Sequence, residues 1–426
     1  MAVNVIIGTQ WGDEAKGKTI DILAEKSDAV VRAQGGNNAG HTVVADGVTY
    51  KLNLIPSGIL HKGTLCMLGA GMVIDPRVLL SEMEKLTAYG ITFENLKIDP
   101  RAHLIMPWHI ALDNLSEKYK SNSGSSIGTT GRGIGPCYAD KYERVGLRIY
   151  DIAHPEALKT KATATGELKN RIITEIYGGE PLDIDSIIAE YAALGEKLKP
   201  FIDDVSVLAD KVIKSGKTLL LEGAQATLLD IDFGTYPYVT SSHPISAGVA
   251  NGAGVAPNVV DKVYGVAKAY TTRVGEGPFP TELKDDIGDY IREKGQEFGT
   301  TTGRPRRTGW FDAVIVRHAV RLNGITDLVI GKLDTLSGIE TLKICTSYKK
   351  SDGTTLDYFP SVLEELADCT PVYEEFPGFD DDITAARTWE DLPGICQDYI
   401  LKLQKLCGCK VSMIGVGPDR VQQINI

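Results

Sequence analysis

The sequence predicts an α/β protein with a large, mostly parallel central β-sheet flanked by helices. Three observations lead there. Short β-branched runs recur along the whole chain. Most are continuously apolar rather than alternating, as strands buried on both faces must be. Helical stretches lie between several of them, the pattern made by parallel strands with crossover helices.

The strand runs span residues 3–7, 29–32, 65–68, 96–98, 218–221, 263–267, 327–330 and 411–414. Helical stretches span 19–26, 75–89, 205–214, 310–323 and 389–407. Residues 155–216 break the alternation. Their Glu and Lys residues at helical spacing predict a helical insertion on the sheet. No internal repeat, low-complexity tract or long polar linker divides residues 1–426, so a single elaborated domain is expected. Residues 121–142 and 298–310 are rich in Gly, Ser or Thr with little apolar periodicity, and predict two long functional loops.

Composition narrows the function. Lys and Arg total 45 against 56 Asp and Glu, a formal net charge of −11. A nucleic-acid binder needs a broad basic face, so no nucleic-acid partner is expected. With 43% hydrophobic and 24% charged residues, the composition is that of a globular chain. No apolar stretch approaches the ~18–20 residues that cross a bilayer. The first residues carry neither a basic segment nor an apolar one of signal-peptide length. Seven scattered Cys argue for a reducing compartment rather than a disulfide framework. Cys407 and Cys409 are the only close pair and lack further ligands nearby for a metal. The expectation is a cytoplasmic protein without membrane association.

A phosphate site is legible after the first strand. Gly12-x-x-x-x-Gly17-Lys18-Thr19 fits the P-loop pattern, with a strand before it and a helix after it. Glycines let backbone N–H groups curl around phosphate oxygens. The helix N-terminus adds partial positive charge, and Lys18 a full one. Asp13 and Glu14 are unexpected inside such a cradle. A carboxylate 4 Å from a phosphate charge is repelled by roughly 4 kcal/mol at an effective dielectric of 20. It persists there only with a compensating role. It could ligate the magnesium that bridges phosphates, or act as general base on a second substrate. Next, the segment 34–42 places Asn38 and His41 among Gly35, Gly36 and Gly40, close to the cradle. His41 is a candidate acid.

Three further segments fit. Lys332-Leu333-Asp334 at a strand end resembles the guanine reader of GTP-binding proteins, in which the Asp accepts from the guanine ring N–H and amine while the Lys stem covers the base. Gly331 stands where that motif usually has Asn. Arg304, Arg306 and Arg307 form a cationic group in an acidic chain, suited to bidentate binding of carboxylate or phosphate. Residues 128–133 and 223–225 read as two more anion-binding turns.

The segments GTQWGDEAKGK (8–18), NNAGHT (37–42), IGTTGRGIGP (127–136), LEGAQATLLDIDFGTYPYVTSS (221–242), TTTGRPRRTGW (300–310), GKLD (331–334) and GVGPDR (415–420) together resemble adenylosuccinate synthetase. They follow that family's order over the whole chain. The resemblance implies a GTP-dependent ligation of L-aspartate to IMP through a 6-phosphoryl-IMP intermediate. The products are adenylosuccinate, GDP and phosphate, the committed step from IMP toward AMP. It also implies one Mg2+ per subunit and a homodimer.

By the same resemblance Asp13 is the general base and His41 the group that donates to the phosphoryl region. Asp13 and the carbonyl of Gly40 hold magnesium. GTP is bound by Gly12, Asp13, Glu14, Ala15, Lys16, Gly17, Lys18, Gly40, His41, Thr42, Arg306, Lys332, Leu333, Asp334, Gly415, Val416 and Gly417. IMP meets Asp13, Glu14, Ala15, Lys16, Asn38, Ala39, Gly40, His41, Thr130, Gln225, Thr240 and Arg304, and Arg144 reaches the IMP phosphate of the other subunit. Aspartate is taken by Thr300, Thr301, Thr302, Gly303, Arg304, Pro305 and Arg306. Two departures stand out. Ala15 replaces a residue that is usually Gly, and costs ~1 kcal/mol or more if that position needs positive φ. Gly415-Val416 replaces a more polar pair. A GTP-binding switch with no co-substrate is the alternative; it would leave Asp13, His41 and the arginine group without a purpose.

Overall fold

The computed structural model describes residues 2–45, 47–122, 127–299 and 303–426. Nine strands form the central sheet: β1 (Ala2–Gly8), β2 (Ala29–Arg32), β3 (Leu65–Leu68), β4 (Leu96–Ile98), β5 (Thr218–Glu222), β6 (Lys262–Lys268), β7 (Asp327–Gly331), β8 (Val411–Gly415) and β9 (Gln423–Asn425). Their spatial order is β9-β8-β7-β6-β1-β5-β2-β3-β4. All neighbours are parallel except the edge pair β8–β9. The eight sequence-predicted runs are the eight parallel strands.

Strand burial follows from the two-residue period. Val3, Val5 and Ile7 of β1 face one apolar layer together with Leu219 and Leu221 of β5. Ile6 faces the other, against Ile20 and Ala24 of helix α1 (Lys16–Ala24). The first layer is covered by helices Val205–Lys214, Ser246–Ala253, Ala313–Asn323 and Gly394–Cys407, through residues such as Ala209, Val249, Val314 and Leu403. Each such fully buried Val, Leu or Ile contributes ~1.5–3 kcal/mol.

A second core lies at the β3–β4 edge. Helices Pro76–Thr87, Pro107–Asn122, Pro155–Arg171 and Ile184–Leu198 pack there around Leu104, Trp108, Leu158 and Tyr191. Residues 155–216 therefore contain three α-helices, the third being Val205–Lys214, with a π-helical turn at Ile172–Ile176 and a 3-10 turn at Lys199–Phe201 between them. At Gly195 the helix Ile184–Leu198 passes so close to the Ile152 carbonyl that an added Cβ would lie 1.9 Å from its oxygen.

Both expected loops need correction: within 298–310, Arg307–Gly309 forms a short strand paired antiparallel with Thr271–Arg273. Residues 121–142 are not a continuous loop. Ser121 and Asn122 end one helix, and a second runs over Ile134–Glu143. Gly133, with φ 74°, turns the chain into that helix, and Pro136 fits its first turn, where N–H groups lack intrahelical partners. Residues 300–302 lie outside the described residues, so the expectation for Thr300, Thr301 and Thr302 has no structural counterpart here. No helix among the described residues is long and apolar enough to cross a membrane.

Candidate active site

The predicted residues gather at the carboxyl ends of the parallel strands, where ligands bind open α/β sheets. Gly8 of β1 leads into the glycine-rich loop, Arg32 of β2 into Gln34–Thr42, Glu222 of β5 into Gln225, and Gly331 of β7 into Lys332. A cavity of about 490 Å³ opens there. Gly12, Asp13, Ala15, Lys16, Gly17, Asn38, Ala39, Gly40, His41, Thr42, Thr130, Gln225, Thr240, Arg306 and Lys332 all line it. A larger hollow of about 1030 Å³ lies beside residues 49–53 and the helix Pro76–Thr87; Asn37, Gly131 and Arg132 of the predicted segments line it, but none of the residues expected to hold GTP, IMP, aspartate or magnesium does.

The backbone marks the same place. Among the described residues, six other than glycine have positive φ: Asp13, Ala15, Arg144, Gln225, Gln296 and Lys332. Five of the six were singled out by sequence. Such conformations cost energy and cluster where the fold imposes them for function. Ala15, at φ 61°, is the cap residue of α1, so the substitution of Gly by Ala is strained.

Inside the loop, Glu14 is fully buried and turned away from the cavity. Its carboxylate accepts from Gln10 N (3.0 Å), Gly12 N (2.9 Å) and Lys16 Nζ (2.5 Å). The structure thus separates the two acids. Glu14 shapes the loop and is neutralised by Lys16, while Asp13 alone points to the cavity, 40% exposed. Arg306 Nε stands 2.8 Å from Asp13 Oδ2, and Arg306 Nη1 donates to Glu297 Oε2 at 2.7 Å.

His41 Nδ1 is 2.8 Å from Glu222 Oε1. Burial pulls the His41 imidazole below its usual pKa, with Glu222 opposing and Arg32 and Lys16 reinforcing that shift. Three amides cross the other wall: Gln34 Nε2 donates to Gln225 Oε1 (2.9 Å), and Gln225 Nε2 donates to Asn38 Oδ1 (3.2 Å).

A second wing adjoins the cavity. Lys332 and Asp334 follow β7, and Gly415–Gly417 end β8 beside them; a Cβ on Gly415 would lie 3.3 Å from Gly331 Cα. Lys18 does not line the cavity. Its Nζ donates to Gly417 O (2.8 Å) and Gln422 O (2.7 Å), and burial pulls its pKa down to about 8. Among the described residues, Asp334 Oδ1 is buried with no hydrogen-bond partner, and burial raises the pKa of that carboxyl. Leu333 and Val416 are buried. Gly303, Arg304 and Pro305 are exposed and lie off the cavity wall, as does Arg144, the left-handed cap of the helix Ile134–Glu143.

Sequence reasoning missed Glu222, Lys268 and Glu297. The available signal was a charge at the end of an apolar strand for Glu222 and Lys268. For Glu297 there was only its position just before the glycine- and threonine-rich segment.

The fold and cavity define a parallel α/β protein whose glycine-rich strand–loop–helix opens on a strand-end cavity, with the exposed carboxylate of Asp13 on its wall. Known proteins narrow that class to one family. The family model for adenylosuccinate synthetase matches residues 5–424, and the chain belongs to that family. It is 54% identical over 424 residues to the adenylosuccinate synthetase of Thermoanaerobacter sp. strain X514, covering 100% of this chain and 99% of that one. It is likewise 54% identical over 426 residues to that of Caldanaerobacter subterraneus, with the same coverage. The fully ligated adenylosuccinate synthetase structure from Plasmodium falciparum superposes with TM-score 0.95 at 39% identity, covering 100% of both chains. A cyanophage S-2L succinoaminodeoxyadenylate synthetase shares the fold at TM-score 0.63 and 19% identity, over 100% of this chain and 95% of that one.

Proposed function

We propose that the chain joins L-aspartate to IMP at the expense of GTP through a 6-phosphoryl-IMP intermediate, releasing adenylosuccinate, GDP and phosphate. The observation that carries this reading is the Asp13 carboxylate on the cavity wall, within reach of Arg306 and apart from Glu14, which is buried beneath the loop and turned away from the cavity. Hypoxanthine's 6-oxygen is amide-like and leaves poorly until phosphorylated. Asp13 removes the ring proton of IMP, which makes that oxygen nucleophilic toward the γ-phosphorus of GTP. His41 donates to the phosphoryl region, and Lys16 and Lys18 offset phosphate charge. The aspartate amine then displaces the 6-phosphoryl group.

The guanine side rests on Asp334, whose buried and unpartnered Oδ1 suits the ring N–H and amine of guanine. Adenine presents no such pair of donors there. Lys332 covers the base, and Gly415, Val416 and Gly417 complete that wing. Gln225, Asn38, Thr130 and Thr240 hold IMP. Arg304 and Arg306 meet the two carboxylates of aspartate.

The Asp13 carboxylate and the Gly40 carbonyl are hard oxygen donors on one cavity wall, which suits magnesium with phosphates and waters completing its shell. When bound, the ion neutralises phosphate charge. Arg144, exposed and off the cavity wall, acts on the IMP phosphate of a second subunit in a cytoplasmic homodimer. Phosphate release tests the reading. It should require GTP, magnesium, IMP and aspartate together. Release from GTP alone, or equal turnover with ATP, would contradict it.

A further inference from the structure

Glu297 is fully buried yet binds cations from three separate elements. Its Oε1 accepts from Lys268 Nζ (2.8 Å, end of β6), Tyr270 Oη (2.5 Å) and Lys332 Nζ (3.2 Å, after β7). Its Oε2 accepts from Arg306 Nη1 (2.7 Å). The backbone reinforces the link: Arg306 N donates to Glu297 O (2.9 Å), and Gly299 N donates to Arg304 O (2.8 Å). Phe298 and Pro305 pair between them. This short ladder ties the two ends of the segment that carries residues 300–303. Gln296, immediately before it, is the one positive-φ residue besides glycine that sequence did not mark. Such strain persists only where surrounding structure holds it.

Lys332 belongs to the proposed guanine subsite and Arg306 to the proposed aspartate subsite. We propose that Glu297 is a positioning residue shared by both: one buried carboxylate sets Lys332 and Arg306 together. The inference rests on the functional reading above. A purely structural Glu297 would neutralise Lys268 and loosen every substrate equally when lost. A shared positioning residue makes a selective demand, because IMP's contacts Asn38, Gln225, Thr130 and Thr240 do not touch it. Asp13 and Arg304 are linked to it only indirectly, through Arg306 and the Gly299–Arg304 hydrogen bond. Burial alone would raise the Glu297 carboxyl pKa, but Lys268, Lys332 and Arg306 outweigh burial and hold it below the usual carboxylate range, so the charge that fixes these cations is present at neutral pH.

The test compares wild type with Glu297→Gln. Because that change leaves buried cations without their carboxylate, Glu297→Gln/Lys268→Met is made as well; it removes one cation along with the charge. For either folded variant, the Michaelis constants for GTP and aspartate should each rise at least tenfold, while that for IMP stays within threefold. GDP affinity by calorimetry, which needs no turnover, should fall at least tenfold. Constants for GTP or aspartate within threefold of wild type, or an equal rise for IMP, would overturn the assignment. Should the wild type release no IMP- and aspartate-dependent phosphate, the reaction itself is misread. The GDP measurement would still decide whether Glu297 positions Lys332.

Discussion

Ala15 concentrates the residue-scale argument. Its φ of 61° is a conformation in which a Cβ costs ~1–2 kcal/mol, while Gly would lose ~0.4–1 kcal/mol to the entropy of the unfolded chain. The strain term is the larger, so Ala15→Gly should raise stability by ~0.5–1 kcal/mol, read as a higher denaturation midpoint. An unchanged or lower midpoint would mean the loop relaxes around the methyl group. Asp13, His41 and Arg306 were legible because charged or ionisable groups are out of place in a glycine-rich cradle or an acidic chain. The opposed fates of Asp13 and Glu14 were not, since two adjacent acids look alike until the backbone turns one inward at φ 59° and leaves the other beneath. Glu222 and Glu297 were illegible for another reason. Their partners His41 and Lys332 are brought to them by topology, and Arg306 by a short local ladder, rather than by spacing in sequence.

Among elements, the parallel strands could be read because burial on both faces leaves an uninterrupted apolar run. Strand β9 could not: Gln423-Ile-Asn425 is short and mostly polar, and exists because β8 offers it an edge. The helix Ala313–Asn323 was legible in its body, but its start was not. Asp312 caps it, accepting from Val314 N (2.9 Å) and Ile315 N (3.3 Å), and receives Tyr348 Oη at 2.6 Å. Complete burial lifts the Asp312 carboxyl pKa from 3.8 to about 6. The folded state therefore prefers the protonated form. That contribution is full below the unfolded pKa near 4 and is lost as pH rises through about 6. Asp312→Asn keeps a good cap and cannot ionise. Wild-type stability relative to this variant should fall by ~2–3 kcal/mol between pH 4 and pH 7. A pH-independent difference would contradict the assignment.

At the scale of the whole molecule, the sheet order places the segments after β1, β2, β5, β6 and β7 around one cavity, so segments hundreds of residues apart become one site. Arg144, like Gly303, Arg304 and Pro305, is exposed and off that cavity's wall. If it serves a partner subunit, Arg144→Leu should raise the Michaelis constant for IMP about tenfold or more and leave GTP binding unchanged, the loss of a charge-assisted contact to phosphate being worth ~1.5–3 kcal/mol. Dimers mixing Arg144→Leu with His41→Ala subunits should regain activity. No recovery would argue for sites confined to one chain.

The most direct measurement is turnover by Asp13→Asn alongside its affinities for IMP and GDP. The side chain keeps its shape and loses its basicity. Turnover should fall by about 10²–10⁴-fold, the usual span of general acid–base catalysis, with both affinities close to wild type. Turnover within tenfold of wild type would contradict the role given to this carboxylate.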